Sequence, residues 1–123
     1  MKAVAVRAVV FREYVAVIFA GDVTPEGVGG LAEREPVALA ALRSHGRLLF
    51  DFSEVTHFGF DPLMLGEAMQ RHAGQGLRLA ICSTSPEYFG VGRQIAQYSG
   101  VEGNAINVFR DQAEAVAWLL GRD

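Results

Sequence analysis

Apolar positions along the chain fall into five short runs divided by polar and glycine-rich breaks, and between the later runs the spacing lengthens to the three-and-four step of a helix. Ala3 to Phe11 and Tyr14 to Ala20 are rich in β-branched and aromatic residues and are parted by Arg12-Glu13, which predicts an antiparallel hairpin. Val4, Val6 and then Val9 to Phe11 do not alternate cleanly, as in a fully buried or bulged strand. Gly21 to Gly30 carries four glycines and Pro25 and is expected to be a mobile loop. A helix is expected from Leu31 to His45, with Pro36 tolerable in a first turn, Leu39 and Leu42 on one face, and Gly46 as its stop.

The most informative stretch is Arg47 to Gln70. Leu48 to Phe52 has the composition of a buried strand, an eight-residue polar and aromatic turn follows, and Asp61-Pro62 opens a helix running to about Ala73. Leu77 to Cys82 is a second buried strand. Ser83-Thr84-Ser85 and Pro86 then start a helix in which Val91, Ile95 and Tyr98 share a face, with Gly90 and Gly92 each costing it about 1 kcal/mol. Ile106 to Phe109 is a last short strand. Asp111 to Glu114 resembles a capping box, and Ala113, Val116, Ala117 and Leu120 are the expected buried stripe of a final helix. The order β-β-α-β-α-β-α-β-α predicts an α/β fold: a mixed, mostly parallel sheet of about five strands with an N-terminal antiparallel hairpin and about four helices.

Composition narrows the function classes. A chain of 123 residues is a single-domain length, so residues 1–123 are expected to share one core. Eleven basic and fourteen acidic residues give a net charge of −3, without the basic footprint that nucleic acid or an anionic membrane would need. No apolar run approaches the roughly 20 residues of a membrane helix, and Lys2, Arg7 and Arg12 interrupt any leader-like segment. The single cysteine, Cys82, fits a reducing compartment, so a cytoplasmic protein is expected.

Chemistry-bearing residues are sparse. Cys82 ends a strand beside three hydroxyl residues, where a helix N-terminus could lower a thiol's pKa; such cysteines are more often small buried hydrophobes. His57 could act as a base paired with Asp61 or Asp51, although loop histidines usually face solvent. His45, His57 and His72 lie on three separate elements without ligand spacing, so no metal site is expected. Neither glycine-rich segment has the third glycine or the Lys-Ser/Thr of a phosphate cradle, and no cofactor is implied. Phe58, Phe60, Tyr88 and Phe89 lie on two loops and could together wall an apolar pocket or a partner-binding patch, whereas aromatics are more often core.

The segment D-F-S-E-V-T-H-F-G-F-D-P-L-M-L resembles the D-L-S-x-V-x-x-x-D-S-S-G-L pattern of STAS domains of the anti-sigma-factor antagonist type. Gly76 to Cys82, Tyr98 to Val101 and Val108 to Val116 are similar to that family's later strand, turn and C-terminal strand-helix, so the resemblance spans about Arg47 to Leu120. Ala117-Trp118-Leu119 looks closer to the lipid-carrier-like relatives of that fold. The resemblance implies a regulatory module without catalysis. Where the family carries Asp-Ser-Ser-Gly this chain has Gly59-Phe60-Asp61-Pro62, so Asp61 replaces the serine that a partner kinase phosphorylates.

Two classes of function follow. The first is an interaction module that binds a protein partner through His57, Phe58, Phe60, Asp61, Leu63, Ser83, Thr84, Ser85, Tyr88 and Phe89, with a homodimer as another use of an exposed apolar stripe. The second is a carrier or sensor of a small apolar molecule held between helix and sheet under the Phe60 and Tyr88 loops. A small hydrolase using Cys82 or His57 is a weaker third, because acid, base and nucleophile do not converge.

Overall fold

The computed structural model describes residues 6–29, 31–59, 61, 64, 77–98 and 105–121. Five strands form one sheet in sequential order: β1 (Val6–Val10), β2 (Val15–Val23), β3 (Arg47–Phe58), β4 (Arg78–Cys82) and β5 (Ala105–Phe109). β1 and β2 are antiparallel, and the remaining neighbours are parallel. The hairpin turn is closed by the Phe11 amide donating to the Tyr14 carbonyl at 2.9 Å, with the two rings stacked. The expected α/β architecture is therefore present.

Helices cover the faces unequally. α1 (Pro25–Gly29) and α2 (Leu31–Arg34) are single turns, followed by α3 (Pro36–His45), α4 (Pro86–Tyr98) and α5 (Gln112–Leu119). Ala38 and Leu42 of α3 and Tyr88 and Ile95 of α4 bury against Val17, Phe19, Phe50, Phe52 and Ile81 on one face. On the other face, among the described residues, α5 alone packs, placing Ala115 and Leu119 over Leu49, Ala80 and Cys82.

Several expectations need correction. The segment from Gly21 is not simply loop: β2 runs through it to Val23, and Pro25 then begins a helical turn in which the Val28 amide donates to the Thr24 carbonyl. The helix expected from Leu31 is broken at Glu35 (φ −128°, ψ 60°), because the ring of Pro36 disfavours the α region for the residue before it. Gly46 does end α3, in a left-handed conformation (φ 71°) with its amide bonded back to the Leu42 carbonyl. In α5 the buried pair is Ala115 and Leu119, not the stripe from Ala113 to Leu120; Ala113 is exposed and Val116, Ala117 and Leu120 are half-buried. Ala16 and Ala80 share one buried cluster with Ala115 and Leu119. The helix expected from Pro62 to about Ala73 lies outside the described residues.

The largest correction concerns β3, which is 12 residues long rather than five. Between the pairs Val15↔Leu48 and Val23↔Phe58, β2 advances eight residues and β3 ten, so β3 carries two extra residues, one at each register shift. The bulges put Phe52, Val55 and Phe58, three apart in sequence, on the same core-facing side. A strand with that spacing reads as a turn, since the two-residue alternation is lost.

Candidate functional site

β3 leaves β4 at the Asp51↔Cys82 pair and continues to Phe58 with β2 as its one strand neighbour among the described residues, which makes its C-terminal half a projecting tip. The Gly59 amide extends the pairing by donating to the Val23 carbonyl at 2.7 Å. The free edge is blunted at two points: Ser53 N–H donates to Asp51 Oδ1 at 2.9 Å, and Tyr88 O–H donates to the Thr56 carbonyl at 2.6 Å. An edge capped by side chains is protected from pairing with another strand. Underneath, Phe58 packs edge-on against Phe52 and Tyr88, with centroids 5.1 and 5.5 Å apart.

Above this support the tip is polar and exposed. His57 is on the strand, not in a loop, and its Nδ1 lies 2.9 Å from Asp22 Oδ1; the two side chains are 69% and 67% exposed. The pairing with Asp61 or Asp51 considered from the sequence is replaced by one with Asp22, because β2 continues far enough to lie opposite His57. Asp22 was missed by sequence reasoning: its segment looked like loop, and the bulges hide which residue it faces. Asp61 is exposed just beyond the tip, and its carbonyl accepts from the Met64 amide at 3.0 Å. Met64 is half exposed.

The Ser83–Phe89 segment is mostly a structural joint. Ser83 is fully buried; its amide donates to the Phe109 carbonyl and its Oγ accepts from the Ser85 amide at 3.2 Å. The Ser85 carbonyl accepts from the Phe89 amide, starting α4. Thr84 is exposed and Ser85 half-buried. Tyr88 is buried in the core, and the half-buried Phe89 ring lies under the Arg110 guanidinium at 4.8 Å. Phe58 and Tyr88 thus join each other as core rather than as walls of an opening, and Phe60 and Leu63 lie outside the described residues. A shallow open depression does exist elsewhere, on the outer side of α5, lined by Gln112, Ala113, Val116 and Ala117.

Cys82 is buried, and its thiol is pushed up to about 11 by that burial and then by the nearby Asp51 carboxylate. Such a thiol is protonated at neutral pH and lacks the thiolate that nucleophilic chemistry needs. Alkylation of the folded protein by iodoacetamide at pH 8 is therefore expected to be slow, with full labelling only after denaturant unfolds the chain; comparable rates in both conditions would refute the buried placement. Among the described residues no group of three or more His, Cys, Asp or Glu side chains is placed to hold a metal ion, and no helix is long and apolar enough to cross a membrane.

The architecture is that of an α/β domain with a SpoIIAA-like fold, the fold of STAS domains. Two solved structures carry this assignment. An uncharacterized protein of the DUF3478 family with a SpoIIAA-like fold from Shewanella loihica PV-4 is 21% identical with a TM-score of 0.62, over 94% of this chain and 92% of that one. The anti-sigma factor antagonist SpoIIAA in its unphosphorylated form is 16% identical with a TM-score of 0.60, over 95% and 99% of the two chains. No protein-family model and no curated protein matches the chain.

Proposed function

We propose that this domain is a non-enzymatic regulatory module of the cytoplasm that docks a protein partner on the projecting end of β3. The observation that carries the reading is the tip itself: an aromatic base holds up the exposed Asp22 and His57 pair, with Asp61 and Met64 exposed just beyond it. Its likeness in fold to an anti-sigma factor antagonist supports a protein as the ligand. Charged residues around a protruding apolar side chain match a partner surface with a small apolar hollow and a basic rim. In the family pattern the position of Asp61 belongs to a phosphorylatable serine, and we assign Asp61 a fixed negative charge there, one charge and two acceptor oxygens where phosphate brings more of both.

Affinity capture of the tagged protein from its own cells, compared across variants, tests this. Wild type and Asp61→Glu are expected to retain one common protein, whereas Met64→Glu and Asp61→Asn reduce its recovery by about tenfold or more. Equal recovery on all four would remove the tip from the interface. Native mass spectrometry of the same preparations adds an independent arm, since a bound species of a few hundred daltons in place of a protein overturns the reading in favour of an apolar-ligand carrier.

A further inference from the structure

Among the described residues the covering layer on the α5 face of the sheet is half complete. α5 lies over β3, β4 and β5, while Arg7 and Val9 of β1 and Ile18 and Ala20 of β2 point to the same side beside it. Val9, Ile18 and Ala20 are only half-buried there, and Phe11, 44% exposed, stacks on Tyr14 at one end of this platform. α5 has the reciprocal deficiency. Its inner side is used by Ala115 and Leu119, with Val116 packed at their flank, yet Ala113, Ala117 and the half-buried Leu120 continue an apolar stripe on its outer side, beside a shallow depression lined by Gln112, Ala113, Val116 and Ala117. An α/β sheet is ordinarily covered on both faces.

We infer that a second copy of this chain completes the layer: the α5 helix of each protomer lies on the β1–β2 platform of the other, so that two α5 helices sit side by side between two facing sheets. A twofold axis parallel to the strands produces this arrangement, and it satisfies both bare surfaces with one isologous contact. The small side chains of the outer stripe allow close approach of the two helices, at the 8–10 Å typical of packed pairs.

Charge supports a copy as the occupant. Arg7, Ile18, Asp51, Cys82 and Phe109 form one row across all five strands. The chain climbs two residues from Phe109 to the Asp111 cap and then descends through α5 at about 1.5 Å per residue, which brings Glu114 back near the height of that row. An axis along the strands preserves height, so Glu114 of one protomer meets Arg7 of the other, and the pair occurs twice. Both side chains are exposed, and neither has a partner among the described residues.

Sedimentation equilibrium of the full chain at about 100 μM is expected to give twice the 13.3 kDa chain mass. Ala117→Glu, which puts a charge into the outer stripe, is expected to give a monomer whose thermal unfolding at low concentration is unchanged. Arg7→Glu and Glu114→Arg each raise the dimer dissociation constant by about tenfold, and the double reversal restores it. A monomeric wild type at that concentration overturns the inference, as does a dimer indifferent to Ala117→Glu or single charge reversals that the double variant fails to rescue.

Discussion

Replacing Gly92 by leucine is expected to cost upwards of about 3 kcal/mol of unfolding free energy, and replacing it by alanine about 1 kcal/mol, even though both substitutions improve helix propensity. Gly92 sits on the sheet-facing side of α4, where an added Cβ would lie 2.9 Å from Ile81 Cγ2 and 3.1 Å from Val108 Cγ1. Those methyl groups hang from β-branched residues of adjacent strands, whose stiff χ1 leaves little room to yield. The helix itself must move outward, loosening Ile95 as it does. Gly90, one position pair away, has nothing within 4 Å of its would-be Cβ. Gly90→Ala is accordingly expected to stabilise by about 0.5 to 1 kcal/mol. Urea unfolding of the two alanine variants checks the contrast: their midpoints should move in opposite directions with the slope unchanged, and a Gly92→Ala midpoint at or above wild type would show that α4 rides looser on the sheet than the contacts say.

The opposite signs expected at two glycines of one helix illustrate what the sequence could and could not convey. Both read simply as weak helix positions, because propensity is a local quantity and the approach of Ile81 and Val108 is not. The order of elements was legible for the complementary reason. β4 is a short apolar run with turn chemistry at its C-terminal end, and α3 ends at a glycine whose left-handed φ nothing else adopts so cheaply. α5 shows the limit: with apolar residues on two sides of one helix, periodicity could not decide which side faces the sheet, and of the stripe it favoured Ala113 is exposed while Val116, Ala117 and Leu120 are only half-buried.

The tip of β3 is the part of the fold least legible in the sequence, although Arg47 to Gln70 is its most informative stretch. His57 and Phe58, expected just after a buried strand, lie opposite Asp22 and Val23 at the paired ends of β2 and β3. What failed was the local state. Two bulges turn a two-residue alternation into the three-residue step of Phe52, Val55 and Phe58, and a bulge is a property of pairing with β2, absent from either strand alone. The same shift conceals the Asp22 and His57 pair, 35 residues apart in the chain, until the register is known.

Phe52→Ala is expected to be the most damaging single truncation of the core, costing about 3 to 5 kcal/mol out of a total of roughly 5 to 15 for a domain of this size. Phe52 is fully buried and central to an aromatic group: Phe19 and Phe58 meet it edge-on at 5.0 and 5.1 Å, and Phe50 lies at 6.2 Å. Edge-on pairs add about 0.5 to 1.5 kcal/mol each beyond the area they bury, so the loss is more than that of one apolar side chain. The position also occupies the first bulge, where the backbone follows the side chain rather than a regular ladder. Truncation should therefore act on two scales. Globally, the denaturant midpoint falls; locally, amide exchange across 53–58 accelerates more than in β4, because the tip past Asp51 has β2 on one side and mainly the Tyr88 contact on the other. Phe58→Ala, at a half-buried ring further along, should reproduce the local effect at a smaller global cost. A Phe52→Ala protein that loses less than about 1 kcal/mol, or whose exchange rises equally in β4 and the tip, would show that the projecting strand stands without its aromatic base.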